Sequence, residues 1–159
     1  MSAIFPGSFD PVTLGHIDIA RRSAAIMGRL LIAVLDNPQK SPLFSIHERV
    51  AMLDEYFKDD ANIEVEAFSG LLVDYAASKG INVIIRGVRG PEDMSKELPY
   101  ATWNRQISNT NVETIYLPAS PGLSHISSSI VKEVAAYDIK KIADMVPPAV
   151  FAAFRAKYS

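Results

Sequence analysis

Cysteine is absent from this 159-residue chain, which removes any disulfide framework or thiolate metal site and gives no sign of an oxidising compartment. A cytoplasmic location is the expectation that follows. No apolar run approaches the roughly 18 residues of a membrane span, and the N-terminus lacks a basic stretch followed by a sustained apolar run. A soluble chain with no membrane partner is therefore expected. An excess of one charge sign is also missing: 16 basic and 18 acidic residues leave a formal charge of −2, which offers no general field for nucleic acid. Any anion must be held locally, so basic residues beside glycines and turns matter more than the basic total. Internal repeats and low-complexity tracts are absent, and no carboxylate cluster has the spacing of a protein metal cage, so no protein-held metal is expected.

What is present is a globular core. Hydrophobic residues make up 48% of the chain, and a single domain over residues 1–159 of this size buries roughly two-thirds of its unfolded surface. Short β-rich runs near 2–5, 30–35, 63–67, 82–86 and 112–117 alternate with helical patterns near 14–27, 46–57, 70–79, 91–107 and 127–136. This rhythm predicts an α/β, single-domain, Rossmann-like doubly wound fold, with a five-stranded parallel sheet and helices on both faces. Leu30 to Leu35 and Val83 to Ile85 are continuously apolar, as central strands buried on both faces should be.

Several boundaries are legible. Thr13 can cap a helix from Leu14 to about Met27, Ser45-Ile46-His47-Glu48 has capping-box spacing, Ser69 can cap the next helix, and Gly80 can end it. Pro91 suits a first helical position, whereas Pro99 should kink that helix or split it near Leu98. After Pro147-Pro148, the spacing of Val150, Phe151 and Phe154 predicts a terminal helix at about 147–158.

In open parallel sheets, ligands bind where the loops converge at the carboxyl ends of the strands. Phe5-Pro6-Gly7-Ser8-Phe9-Asp10-Pro11-Val12-Thr13-Leu14-Gly15-His16 places a hydroxyl, a tight turn and an imidazole at such a strand-to-helix junction. Unpaired N–H groups and the helix dipole favour an anion there, and His16 can add a donor. Arg86-Gly87-Val88-Arg89-Gly90 sets two guanidinium groups between glycines, and Ser127-Ser128-Ser129 puts consecutive hydroxyls at a helix start. Lys40 follows the second strand, and Leu71 and Leu72 follow the third. Each feature also has an ordinary use. His16 can be a capping or surface residue, the arginines can pair with Glu92 or Asp93, the serines can simply cap, and Lys40 can be a solvated lysine.

Taken together, these motifs resemble a known family. Thr13-Leu14-Gly15-His16 is similar to the Thr/His-x-Gly-His signature of the nucleotidyltransferase superfamily, and the Pro-Gly-Ser-Phe-Asp-Pro lead-in looks most like the phosphopantetheine adenylyltransferases. Arg86 to Arg89 resembles that family's Arg-Gly-Leu-Arg motif, and Ile126 to Ser129 its Ile-Ser-Ser-Ser/Thr motif. The resemblance covers nearly the whole chain. It implies direct transfer of an adenylyl group from ATP to 4′-phosphopantetheine, giving dephospho-coenzyme A and pyrophosphate. It further implies that Lys40 and Arg86 hold the acceptor phosphate, with Ser8 between the substrates, and that Leu71, Leu72 and Asn104 line the pantetheine arm. His16 would stabilise charge at the α-phosphate, making His16, Lys40 and Arg89 the catalytic set. Arg89 and Ser127 to Ser129 would hold the ATP phosphates, with Phe9, Gly87, Val88, Glu97, Leu123, Ser124, His125 and Ile126 near the nucleotide. Mg²⁺ would travel on the ATP phosphates, coenzyme A would inhibit from the active site, and the chain would form a homohexamer.

The chain also departs from the family pattern. Where the family has an Asp-Phe/Tyr-Glu-Tyr-Glu helix, residues 93–99 read Asp-Met-Ser-Lys-Glu-Leu-Pro and keep only Asp93 and Glu97. Lys132 stands where superfamily relatives often carry arginine. Two other readings stay open at this point. One is a relative of the same fold acting on nicotinate mononucleotide or glycerol 3-phosphate, and the other is a nucleotide-binding regulatory module that has lost catalysis.

Overall fold

A pleated strand sends alternate side chains to opposite faces, so the unbroken apolar run of 30–35 can be satisfied only by a layer on each side of the sheet. The computed structural model, which describes residues 1–37 and 41–158, has that arrangement. Five strands, β1 (Ser2–Gly7), β2 (Arg29–Leu35), β3 (Ile63–Phe68), β4 (Val83–Val88) and β5 (Glu113–Pro118), form one parallel sheet in the order β3-β2-β1-β4-β5. The helices are α1 (Leu14–Met27), α2 (Ile46–Phe57), α3 (Leu72–Ser78), α4 (Pro91–Ile107), α5 (Ser128–Tyr137) and α6 (Pro148–Lys157), with a 3-10 turn at Ile139–Ile142. Among the described residues, no helix is long and apolar enough to cross a membrane.

The two faces are unequal. Leu30, Ile32 and Val34 join the larger core with Ile17 and Ala20 of α1, Met52 and Leu53 of α2, Val131 of α5 and Phe154 of α6. Ile4, Leu31, Ala33 and Ile84 point the other way, into a smaller core closed by Phe68, Ala76 and Ile81. Each fully buried Leu, Ile or Val contributes roughly 1.5–3 kcal/mol, so the larger core dominates stability. On the lesser face, α4 buries no residue at all.

Chain order reverses between β1 and β4, since β1 leads outward through β2 to β3 while β4 leads to β5. This switch point opens a crevice between the carboxyl ends of two adjacent strands. The β1–β4 pairing is registered at Ile4↔Ile84, whereas β1 and β2 run paired from Ser2↔Arg29 to Gly7↔Val34.

Three expectations are corrected. Pro99 does not split its helix, because α4 runs unbroken from Pro91 to Ile107. Ser95 and Pro99 are both exposed, so the Ser95 carbonyl that Pro99 leaves without an amide is open to water. Ser69 does not cap α3, whose N-cap position is Leu71 with no side-chain cap hydrogen bond. Arg86, Gly87 and Val88 belong to β4 itself rather than to the loop after it. The other boundaries agree: Thr13 caps α1, the Ser45/Glu48 capping box starts α2, Gly80 follows α3 at φ +66°, and Pro91 opens α4.

Candidate active site

At the β1–α1 junction, the Thr13 side chain accepts the His16 N–H at 3.4 Å, while His16 Nδ1 accepts the Thr13 N–H at 3.1 Å. This is a capping box in which an imidazole does the work usually done by a glutamate. A ring nitrogen that accepts a backbone N–H carries no proton, so the ring proton lies on Nε2. Thr13 Oγ1, 3.1 Å from the same nitrogen, completes the hold. The Phe9 ring packs edge-on to the imidazole at 5.1 Å, and Phe5 lies at 6.5 Å. Burial, reinforced by the charges of Arg89 and Arg86, lowers the His16 pKa to about 4. His16 is therefore a neutral donor near pH 7.

Two glycines make room for these contacts. A Cβ on Gly7 would come within 3.0 Å of the Phe9 ring, and one on Gly87 within 3.0 Å of Ile19 Cγ1 on α1. Phe9 itself sits at φ +46°, a left-handed conformation that a bulky side chain rarely adopts.

Across the switch point, Arg86 gives two parallel hydrogen bonds to Glu97, from Nε at 2.7 Å and Nη2 at 2.6 Å, and a third from Nη1 to the Pro6 carbonyl at 2.9 Å. Arg89 pairs with Asp93 in the same way, at 2.7 and 3.0 Å. Its hydrogen bonds hold the Asp93 carboxyl below the usual carboxylate range, despite partial burial. The Tyr116 hydroxyl is buried without a hydrogen-bond partner among the described residues. Burial and the nearby Glu97 charge raise its pKa.

At the third wall, Ser127 caps α5 by accepting the Ile130 N–H at 3.2 Å, and Ser128 Oγ donates to the Pro11 carbonyl at 2.8 Å. The loop after β5 is tied to α1, since Arg22 donates to the Pro118 carbonyl at 2.8 Å and Ser120 Oγ to Asp18 at 2.8 Å. The three walls enclose a cavity of about 350 Å³ onto which the N-termini of α1 and α5 converge. Two helix N-termini, two guanidinium groups and a neutral imidazole donor suit a polyphosphate.

The cavity brings together Ser8, Phe9, His16, Arg86, Gly87, Val88, Arg89, Glu97, Leu123, Ile126 and Ser127 to Ser129. Leu71, Leu72, Asn104, Ser124 and His125 do not line it: Leu71 is 59% exposed, Leu72 packs on the smaller core, and Asn104 lies on α4. Lys40 lies outside the described residues. Lys132 turns to Asp10 at 2.9 Å rather than into the cavity. Among the described residues, no group of three or more His, Cys, Asp or Glu could hold a metal.

Sequence reasoning missed Arg49. It occupies the apolar stripe of α2 with Met52, Leu53 and Phe57, and a charge at core spacing was the signal that could have found it. It also left Asp93 as a surface partner, although this residue lines the cavity.

The profile of the cytidylyltransferase-like family matches residues 4–134. The phosphopantetheine adenylyltransferase of Alkaliphilus metalliredigens is 45% identical over 154 residues, covering 97% of each chain. That of Staphylococcus haemolyticus is 47% identical over 156 residues, covering 98% of this chain and 96% of its own. Among solved structures, the Plasmodium falciparum nicotinic acid mononucleotide adenylyltransferase complexed with NaAD aligns over 99% of this chain and 95% of its own, with a TM-score of 0.69 at 15% identity. That likeness is one of fold.

Proposed function

The chain belongs to the cytidylyltransferase-like family and, within it, to the phosphopantetheine adenylyltransferases, and on that premise we propose that it makes dephospho-coenzyme A. A phosphate oxygen of 4′-phosphopantetheine attacks the α-phosphorus of ATP, the bond from that phosphorus to the bridging oxygen of the β-phosphate breaks, and pyrophosphate leaves. Two polyanions must meet, so repulsion is the main obstacle. Donors and cations preset around the α-phosphate offset it, and alignment of attacker and leaving group can contribute roughly 7–11 kcal/mol. No covalent intermediate on the protein is needed.

The observation that carries this reading is His16, locked by Thr13 as a neutral Nε2 donor where two helix N-termini meet. His16 donates to the α-phosphate as charge develops. Arg89, the α5 amides and Ser127 to Ser129 take the β- and γ-phosphates, while Arg86 and Lys40 take the acceptor phosphate beside Ser8. Phe9, Gly87, Val88, Glu97 and the Leu123-to-Ile126 loop face the nucleotide, and Leu71, Leu72 and Asn104 take the pantetheine arm. Both cavity carboxylates, Asp93 and Glu97, are paired with arginines, so Mg²⁺ enters as part of the MgATP substrate.

The same reading carries a cytoplasmic homohexamer and coenzyme A as an active-site inhibitor. The exposed Leu98, Tyr100, Trp103 and Ile107 on α4 supply apolar surface for contacts between protomers. The test is pyrophosphate release from ATP with 4′-phosphopantetheine, repeated with CTP, nicotinate mononucleotide and glycerol 3-phosphate. Turnover is expected with ATP and 4′-phosphopantetheine alone. Turnover with another acceptor but not this one, or ATP binding without turnover, would overturn the proposal.

A further inference from the structure

Behind the cavity, two buried charges of opposite sign stand outside its lining. Arg49, 2% exposed, donates from Nε to the Phe44 carbonyl at 3.0 Å and from Nη1 to the carbonyls of Ser8 at 2.7 Å and Leu35 at 3.0 Å. Asp10, 6% exposed, accepts the amides of Leu43 at 3.0 Å and Phe44 at 2.9 Å together with Lys132 Nζ at 2.9 Å. The Phe44 peptide is thus held from both ends, its amide by Asp10 and its carbonyl by Arg49.

What these bonds hold is the Ser8-to-Asp10 turn. Arg49 grips the carbonyl on one side of Phe9, and Asp10 anchors the other. Phe9 is the residue at φ +46°, with its ring 5.1 Å from the His16 imidazole and closely packed over Gly7. Such a backbone persists only where surrounding structure imposes it. Arg49 lies 4.0 Å from Asp36 and Asp10 pairs with Lys132; buried charges held this way are seldom the cheapest way to fill a core, and apolar residues of similar volume would often be as stable. A guanidinium, however, reaches these three carbonyls from two nitrogens of a rigid fork, Nε and Nη1, whereas lysine offers its donors from a single atom and methionine offers none.

We propose that Arg49 and Asp10 are positioning residues of the transfer reaction: together they impose the Ser8-to-Asp10 turn and, through Phe9, fix the His16 imidazole. The inference rests on the adenylyl-transfer reading for its kinetic consequence but not for its structural one, so two readouts separate them. In steady-state kinetics, Arg49→Lys lowers kcat about tenfold or more while KM for ATP stays within about threefold, and the same change in a His16→Ala background costs less than about twofold. In the unliganded protein, NMR titration of the His16 ring moves from a midpoint of about 4 toward the ordinary 6.5.

Asp10→Asn, nearly isosteric, is expected to do the same on both readouts and carries the test if Arg49→Lys does not melt cooperatively. An unchanged kcat, an equal loss in the His16→Ala background, or an unmoved His16 midpoint in a folded variant would overturn the proposal. If the native chain forms no dephospho-coenzyme A, the reaction reading fails, while the titration still decides whether Arg49 positions His16.

Discussion

The N-terminus of α1 and the N-terminal half of α4 face each other across one cavity, yet they hold their functional groups in opposite ways. On α1, His16 is fixed by its own helix cap, and the helix is sealed into the larger core by Ile17, Ile19 and Ala20. On the α4 side, Arg86 and Arg89 are held by Glu97 and Asp93 of a helix that buries nothing. The imidazole is held by backbone and hydroxyl partners, whereas each guanidinium is paired with a carboxylate that a phosphate, under the proposed function, would have to share or displace. On the proposed roles, preorganisation would belong to the transition-state donor and adaptability to the ground-state anion clamps.

Changes on the α1 side should act on turnover, and changes on the α4 side on binding. The largest effect is expected from His16→Ala, which should lower kcat by about 10²–10³ while the ATP dissociation constant, measured by calorimetry, stays within a few-fold. Thr13→Val should follow, removing a cap worth about 1 kcal/mol and freeing the ring, with a loss in kcat of about tenfold and a lower Tm. Glu97→Gln is expected to leave kcat near its native value and lower KM for 4′-phosphopantetheine by about two- to fivefold, because Arg86 loses its charged partner. The smallest effect belongs to Pro99→Ala. It restores an amide to an exposed helix, should raise Tm by about 2–4 °C, and should leave kinetics unchanged. A kcat loss for Glu97→Gln rivalling that of His16→Ala would erase the contrast between the two sides.

Among the groups that shape the acid side of the stability profile, alongside paired carboxylates such as Asp93, two stand at the β1–α1 junction. His16 has its pKa lowered on folding, so the unfolded chain takes up its proton first and stability falls as pH drops from about 6.5 to about 4. Asp10 is opposed by burial, but Lys132 and the Leu43 and Phe44 amides outweigh this and hold it below its ordinary 3.8. Its contribution is present above that value and is lost at still lower pH.

The strands and α1 were legible because apolar runs and the Thr13 cap are local signals, read at the same scale on which they act. The cavity walls were legible for a similar reason: each motif sits at a strand end, and topology carries all of them to one edge. What escaped was non-local. Arg49 stands at core spacing on α2, but what it holds shows only when the carbonyls of Ser8, Leu35 and Phe44 are seen around it, and these come from three separate segments. Pro99 was expected to kink or split its helix because it removes an amide and crowds the preceding turn; the helix is not split, and the carbonyl left without that amide belongs to the exposed Ser95. The paired state of the arginines was only partly foreseen. Asp93 was a named candidate partner, whereas Glu97, eleven residues from Arg86, was assigned to the nucleotide.

The central claim is that His16 stands ready as a neutral donor before substrate binds, and ¹⁵N-detected titration of its ring in the unliganded protein tests it most directly. The expected result is a midpoint near 4 with the neutral ring protonated on Nε2. A midpoint near 6.5, or a neutral ring protonated on Nδ1, would contradict it.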